Sequence, residues 1–251
     1  MKGHNFHKDM KPQKTEGNMP NQKRGIRRRR LRTDSPWIGT DESGKGDYFG
    51  PLVIAGVYLD QSSLRKIKYL GVKDSKKISD NTIRRLDYQI RSHCLYSVVV
   101  IGPEKYNLLY ERMKNLNRIL AWGHARVIEN ILLQVNCSRV VSDQFGDERY
   151  IKNALMEKGK KVNLKQIIRG ERDLAVASAS VVARAEFLRR LEQLSRQAGL
   201  ALSKGASASA DEVAKKLVEK EGKENLARFA KLHFKNTEKV LCPAKTGDTK
   251  A

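Results

Sequence analysis

The sequence predicts a single α/β layered domain behind a basic tail, and three observations carry that prediction. Extended apolar runs come first as strand, strand, strand and then as strands separated by helical patterns, the order expected of a sheet with helices packed on it. The chain has 251 residues, 39% of them hydrophobic, enough to bury a full core. Residues 1–36 hold eleven Lys or Arg against three acidic residues and almost nothing apolar, so they cannot join that core and read as a disordered arm. The domain is expected over 37–240, with a flexible tail over 241–251.

The elements follow in order. Ile38 to Leu59 reads as strand, turn and strand: Ile-Gly-Thr-Asp41-Glu42 leads into the glycine-rich turn Ser-Gly44-Lys45-Gly46-Asp47, and Leu-Val-Ile-Ala-Gly-Val-Tyr-Leu follows. Neighbouring strand residues point to opposite faces, so Asp41 and Glu42 share a site only if the strand ends or bends between them. Gly44 and Gly46 permit such a bend. Two adjacent carboxylates beside that turn suit a hard cation, although residue types alone leave a solvated hairpin with charged ends equally open. A polar basic loop, Lys73-Asp74-Ser75-Lys76-Lys77, precedes a helix over 81–92 with Ile83, Leu86 and Ile90 on one face. A strand over 96–101 ends at Gly102-Pro103, and a long helix aligns Leu116, Ile119, Leu120, Val127, Ile131 and Val135. His124 within it is open to two readings, a general base or a structural or surface residue, and the second is favoured.

Arg139-Val-Val-Ser-Asp143 puts an aspartate at the carboxyl end of a short strand, the edge where open α/β sheets bind ligands. Asp147 reads as the N-cap of a helix over 148–158. Gln166-Ile-Ile-Arg-Gly-Glu171-Arg-Asp173 then passes from a strand through a turn into a helix striped by Leu174, Ala177, Val181, Ala185 and Leu188. Either acid of this turn is a site candidate; Asp173 has the competing role of N-cap. Leu202-Ser-Lys204-Gly-Ala-Ser207 is a loop able to hold phosphates or simply to be solvated. Two helices, over 210–220 and 225–233, close the domain.

The formal charge of +22 and a pI near 10.0 imply a polyanionic partner, nucleic acid rather than an anionic membrane because no amphipathic anchor is evident. The run Arg27–Arg30 with Arg32 suits a flexible arm on phosphates, with a merely solvated tail as the alternative. Cys94, Cys137 and Cys242 lie far apart, which argues against a zinc site and against a disulfide framework and fits a reducing cytosol. There is no long apolar run and no signal-peptide pattern, so a soluble, cytoplasmic monomer without an obligate protein partner is expected.

The Asp41-Glu42 pair with its Gly44-Lys45-Gly46 turn resembles the opening signature of the type 2 ribonuclease H family. The lysine in that turn is similar to the ribonuclease HIII subgroup, where ribonuclease HII more usually has arginine. The Asp74-Ser75-Lys76-Lys77 loop, Ala121-Trp-Gly-His-Ala125, Ser142-Asp143-Gln-Phe-Gly-Asp147 and Phe234-Lys-Asn-Thr-Glu-Lys239 resemble family segments in the same order. The resemblance spans about residues 37–240.

It implies a ribonuclease H-like fold, with a mixed sheet flanked by helices and C-terminal helices beyond. It implies Asp41, Glu42, Asp143 and Glu171 as catalytic, metal-binding carboxylates, Glu171 standing where the HIII subgroup places its fourth acid. Gly44, Lys45, Gly46, Lys76, Lys204 and Ser207 are the implied nucleic-acid contacts. The activity implied is endonucleolytic hydrolysis of the RNA strand of RNA/DNA hybrids with Mg²⁺ or Mn²⁺, two ions in the substrate complex, leaving 5′-phosphate and 3′-hydroxyl ends. The family usually carries a folded N-terminal substrate-binding domain resembling the TATA-binding protein; here the basic tail stands in that place, which bears on how tightly hybrids are held. Two other functions stay in view. One is ribonuclease HII-type incision at single ribonucleotides in DNA, disfavoured because no tyrosine follows Tyr150 to stack at the junction. The other is a non-catalytic nucleic-acid-binding protein, disfavoured because such a face has no need of four acids.

Overall fold

A computed structural model describes Met1, residues 35–72 and residues 78–242. The readings of the arm over 2–34 and of the tail beyond 242 therefore lie outside the described residues. From residue 35 onward these belong to one unit, Thr33–Ala251.

Five strands form one mixed sheet: β1 (Trp37–Ser43), β2 (Leu52–Leu59), β3 (Leu95–Ile101), β4 (Arg139–Asp143) and β5 (Asn163–Ile167), in the order β3-β2-β1-β4-β5. The hairpin pairs Trp37 with Leu59 through Ser43 with Val53, and β3 adds antiparallel to β2. β4 and β5 run parallel to β1, so the carboxyl ends of β1, β4 and β5 lie along one edge. Helices cover both faces, which is why β2 reads as a continuous apolar run rather than an alternating one. Val53, Ala55 and Val57 face α6 (Leu174–Ala198), which also packs on α2 (Asp80–His93); Leu52 and Ile54 face α4 (Leu116–Leu132) and α3 (Pro103–Met113). At Gly39 the start of α6 descends onto β1 so closely that a Cβ would run into the backbone of Ala175 and Val176.

The remaining helices are α1 (Gln61–Ile67), α5 (Glu148–Ala154), α7 (Ala208–Glu221) and α8 (Lys235–Leu241). Caps account for several boundaries. Asp173 accepts from the amides of Ala175 and Val176 and Asp147 from that of Arg149, both in the N-cap roles that the sequence suggests.

The structure departs from the sequence-based elements in four places. The long helix striped from Leu116 is present as α4, with Asn115 as N-cap, but a separate helix not expected, α3, precedes it and ends at Lys114, whose φ is +48°. The helix expected to reach 158 stops at Ala154, because the Glu129 carboxylate takes the amides of Lys158 and Gly159 and draws the chain away. The helix expected over 225–233 is a 3₁₀ turn over Lys223–Arg228. Beyond it the backbone pairs with the glycine turn instead, Gly50 donating to the Phe229 carbonyl and Lys231 to that of Tyr48. Helices α1 and α8 were not expected; both are single short helices of seven residues, too brief for periodicity to register.

Candidate active site

Asp41 and Glu42 lie inside β1, two residues and one residue from its carboxyl end, and Asp143 ends the parallel neighbour β4. No bend separates the two neighbouring acids. Asp41 turns to the α6 face, Glu42 to the α4 face, and they meet where the sheet stops. There a cavity of about 280 Å³ is lined by Asp41, Glu42, Asp143 and the Gly44-Lys45-Gly46 turn, and by Ser180 and Arg184 of α6. Gly44 adopts φ +90°, and a Cβ on it would strike the Pro51 carbonyl, so the turn's tight reversal requires glycine at this position.

The electrostatics of the pair are opposed. Asp41 is 9% exposed, and burial, then the charges of Glu42 and Asp143, push its pKa up to about 8; hydrogen bonds from Ser180 and the Glu42 amide pull the other way. Glu42 is held to about 2: burial opposes its charge, but His124 and Lys45 overcome that. Lys45 Nζ lies 2.9 Å from Glu42 Oε1, and His124 Nε2 lies 3.3 Å from Oε2. Asp143 Oδ1 accepts the Gly170 amide at 2.8 Å.

The other expected site residues are distributed as follows. Glu171 sits on the 3₁₀ turn Gly170–Arg172, beside the glycine that binds Asp143, and is not among the residues lining the cavity. Asp173 caps α6 and accepts from the Trp37 indole at 2.9 Å, so its carboxylate is committed to structure. Lys204 Nζ pairs with Asp80 at 2.7 Å, and the other Asp80 oxygen takes Arg184 at 2.9 Å, linking the lysine to the cavity wall. Ser207 is the N-cap residue of α7, its hydroxyl 2.9 Å from that of Ser209. Lys76 lies outside the described residues.

Three residues at the site were not expected there. His124 is fully buried, as a structural histidine would be, yet its ring touches an acid of the pair: Nδ1 lies 2.9 Å from Thr40 Oγ1, Nε2 faces Glu42, and the ring stacks on Phe145 at 4.7 Å. Ser180 and Arg184 stand four apart on α6, a spacing that places both on one helix face. That spacing was visible in the sequence, but nothing in it says which face meets the strand ends.

Comparison with known proteins agrees with this architecture. A family model described as Ribonuclease HII matches residues 38–237. Ribonuclease HIII of Protochlamydia amoebophila is 50% identical over 207 residues, covering 82% of this chain and 69% of that protein; ribonuclease HIII of Chlamydia felis is 41% identical over 208 residues with the same coverage. The crystal structure of Bst-RNase HIII in complex with Mn²⁺ superposes with a TM-score of 0.78 at 35% identity, covering 84% of this chain and 71% of that one. A match across most of the chain, on a mixed sheet whose strand ends carry this acidic cavity, places the chain in the type 2 ribonuclease H family, on its ribonuclease HIII branch, as an endoribonuclease H.

Proposed function

We propose that the chain cleaves the RNA strand of RNA/DNA hybrids, with Asp41, Glu42 and Asp143 holding divalent metal and Glu171 serving as the fourth carboxylate. The observation that carries the reading is the Asp41 carboxyl, buried beside two further acids, Glu42 and Asp143, at the strand ends. The donor chemistry fits a hard cation, since all the candidate ligands are carboxylate oxygens. Among the described residues no three His, Cys, Asp or Glu side chains converge on a metal position as they stand. Lys45 and His124 occupy the Glu42 oxygens, and Gly170 one oxygen of Asp143, which an incoming ion competes for.

Mg²⁺ or Mn²⁺ bound there, two ions with substrate present, supplies activation of the attacking water and charge stabilisation at the leaving 3′ oxygen, consistent with 5′-phosphate and 3′-hydroxyl products. The chain's own residues do the rest. Arg184 and Lys45 set positive charge on the cavity wall for phosphates flanking the scissile bond. The Gly44–Gly46 backbone can approach a ribose closely, and contacts to 2′-hydroxyls distinguish RNA from DNA. His124, braced by Thr40, orients Glu42. Lys204 holds Asp80 and through it Arg184; Lys76 and Ser207 are proposed as outer phosphate contacts.

Three duplexes test the reading, each with and without Mg²⁺: an all-RNA/DNA hybrid, DNA carrying one ribonucleotide, and double-stranded RNA. The expected outcome is metal-dependent cutting of the hybrid and poor cutting of the other two. Efficient incision at the lone ribonucleotide would move the protein to ribonuclease HII specificity, which the absence of tyrosine after Tyr150 disfavours.

A further inference from the structure

Lys231 is a buried cation outside the acidic cavity. Its side chain is fully buried, and its ammonium donates to three backbone carbonyls, those of Gly50 at 2.6 Å, Asp47 at 2.7 Å and Phe49 at 3.4 Å. An ammonium has three N–H groups, so the three acceptors match its full donor set. Among the described residues no carboxylate forms a salt bridge with it; the charge acting on it is Asp47, which opposes burial while burial draws the lysine's pKa down to about 7. An apolar side chain would fill this space without the cost of desolvating a charge. What the ammonium supplies instead is a conformation, because three carbonyls of one short segment turn inward together only around a donor.

That segment is the second half of the turn whose first half, Gly44 to Gly46, lines the acidic cavity. Its remaining polar groups are also held by distant parts of the chain. Tyr48 donates its amide to the Gly205 carbonyl at 2.9 Å, Gly50 donates to Phe229 at 3.0 Å, and the Lys231 amide donates to Tyr48 at 2.9 Å. The Asp47 carboxylate accepts the Gly205 amide at 2.7 Å. The strip bearing Lys231 is tied in turn to α3, where the Asn107 side chain donates to the Ala230 carbonyl and accepts from the Leu232 amide, both at 2.9 Å. So the turn is pinned by residues that do not line the cavity, with Lys231 at the centre of the pins.

We infer that Lys231 is a positioning residue for substrate: its ammonium holds Asp47–Gly50 so that Gly44, Lys45 and Gly46 are presented to the hybrid in a fixed shape. This rests on the reading above that the glycine turn contacts the hybrid. Preorganising a binding loop lowers the ordering cost of association and acts on the bound complex, not on the metal-dependent step. Losing the clamp therefore weakens hybrid binding and leaves turnover of bound hybrid alone.

The test is a donor series, Lys231→Gln and Lys231→Met, with Lys45→Ala as the control, assayed on an all-RNA/DNA hybrid at saturating Mg²⁺ and well below each variant's melting temperature. Lys231→Gln keeps two N–H donors and Lys231→Met none. The expected result is KM raised about threefold in Lys231→Gln and about tenfold in Lys231→Met, with kcat within twofold of the parent. A role confined to stability gives the opposite split, since a reduced folded fraction lowers apparent kcat and leaves KM unchanged. If Lys231→Met does not fold, Lys231→Gln decides alone. Parental KM in the foldable Lys231 variants, with KM raised in Lys45→Ala, overturns the inference while the turn keeps its role; parental KM in Lys45→Ala overturns the role of the turn itself.

Discussion

Two groups of buried carboxylates border α6, and they differ in what neutralises them. Asp87 and Glu186, 3% and 9% exposed, are as buried as Asp41 at 9%. Around them stand arginines: Arg91 bonds Asp87 at 2.8 Å and Glu186 at 3.2 Å, Arg189 bonds both at 2.8 Å, and Arg190 bonds Glu186 at 2.9 Å. Burial alone would raise the Glu186 pKa, yet Arg189 and Arg190 bring it below the ordinary value. At Asp41 burial, and then the charges of Glu42 and Asp143, drive the pKa up to about 8. Burial pushes both acids up; at Asp41 acidic neighbours add to it, while at Glu186 the arginines outweigh it. An acid bonded to arginines, as Glu186 is, belongs to the scaffold; Asp41, buried among other acids, is the one proposed above to take a cation from outside.

The comparison breaks first, and hardest, on the acids of the cavity. Asp41→Asn and, separately, Asp143→Asn should each lower hybrid cleavage by roughly a thousandfold or more, the scale of losing transition-state charge stabilisation, while hybrid binding stays level or tightens as repulsion of phosphate is relieved. Full activity in either variant, measured at saturating Mg²⁺, would remove these acids from the chemistry. Glu171→Gln should cost about a hundredfold in kcat, as outer ligands of metal sites do, with an unchanged melting temperature. Its neighbour behaves in the other way: Asp173→Ala should cost about 1 kcal/mol of stability as a lost N-cap, with kcat within twofold. If the two effects trade places, the fourth carboxylate is Asp173.

On the scaffold side, Asp87→Asn or Glu186→Gln should cost about 1–3 kcal/mol in chemical denaturation, the range for losing a hydrogen bond to a charged group, with activity per folded molecule unchanged. A pH series in EDTA sharpens the contrast further. The folded pKa of Asp41 is about 8 against an ordinary 3.8, so between those values the folded state binds more protons than the unfolded one. Metal-free stability should therefore fall as pH rises from about 4 to about 8 and level off above that. Asp41→Asn should flatten this slope and melt a few degrees higher at pH 8; a parallel slope in the variant would assign the titration elsewhere. The smallest effect belongs to the basic arm. A chain beginning at Ser35 should keep its kcat at saturating hybrid and show a salt dependence of KM shallower by roughly two to three in log–log slope, if about three arm residues neutralise phosphates. An unchanged slope would leave the domain from residue 35 onward binding hybrids unaided.

Much of the site could be read along the chain because it is local. Asp41, Glu42 and the Gly44-Lys45-Gly46 turn lie within six residues, and Asp143 ends a short β-branched run, a position that residue type alone leaves open between turn and ligand. Asp147 and Asp173 declared their caps by preceding helical patterns, and the alternation of periods marked all five strands. Elements whose conformation is imposed by distant partners were misread: the stretch after Arg228 has helical composition but gives its backbone to the glycine turn, and the one after Ala154 is bent by Glu129. Residue type and spacing alone thus determined the α/β class and the hairpin, because strand and turn chemistry act over a few residues; the acids of β1 and β4 were singled out as site candidates only through the resemblance of their segments to a known family. Only the tertiary structure decided that His124 would face Glu42, that Arg184 would wall the cavity, and that Lys231 would be buried against three carbonyls. Each of those contacts spans about 80 residues or more, and chain folding, not local preference, brings such partners together.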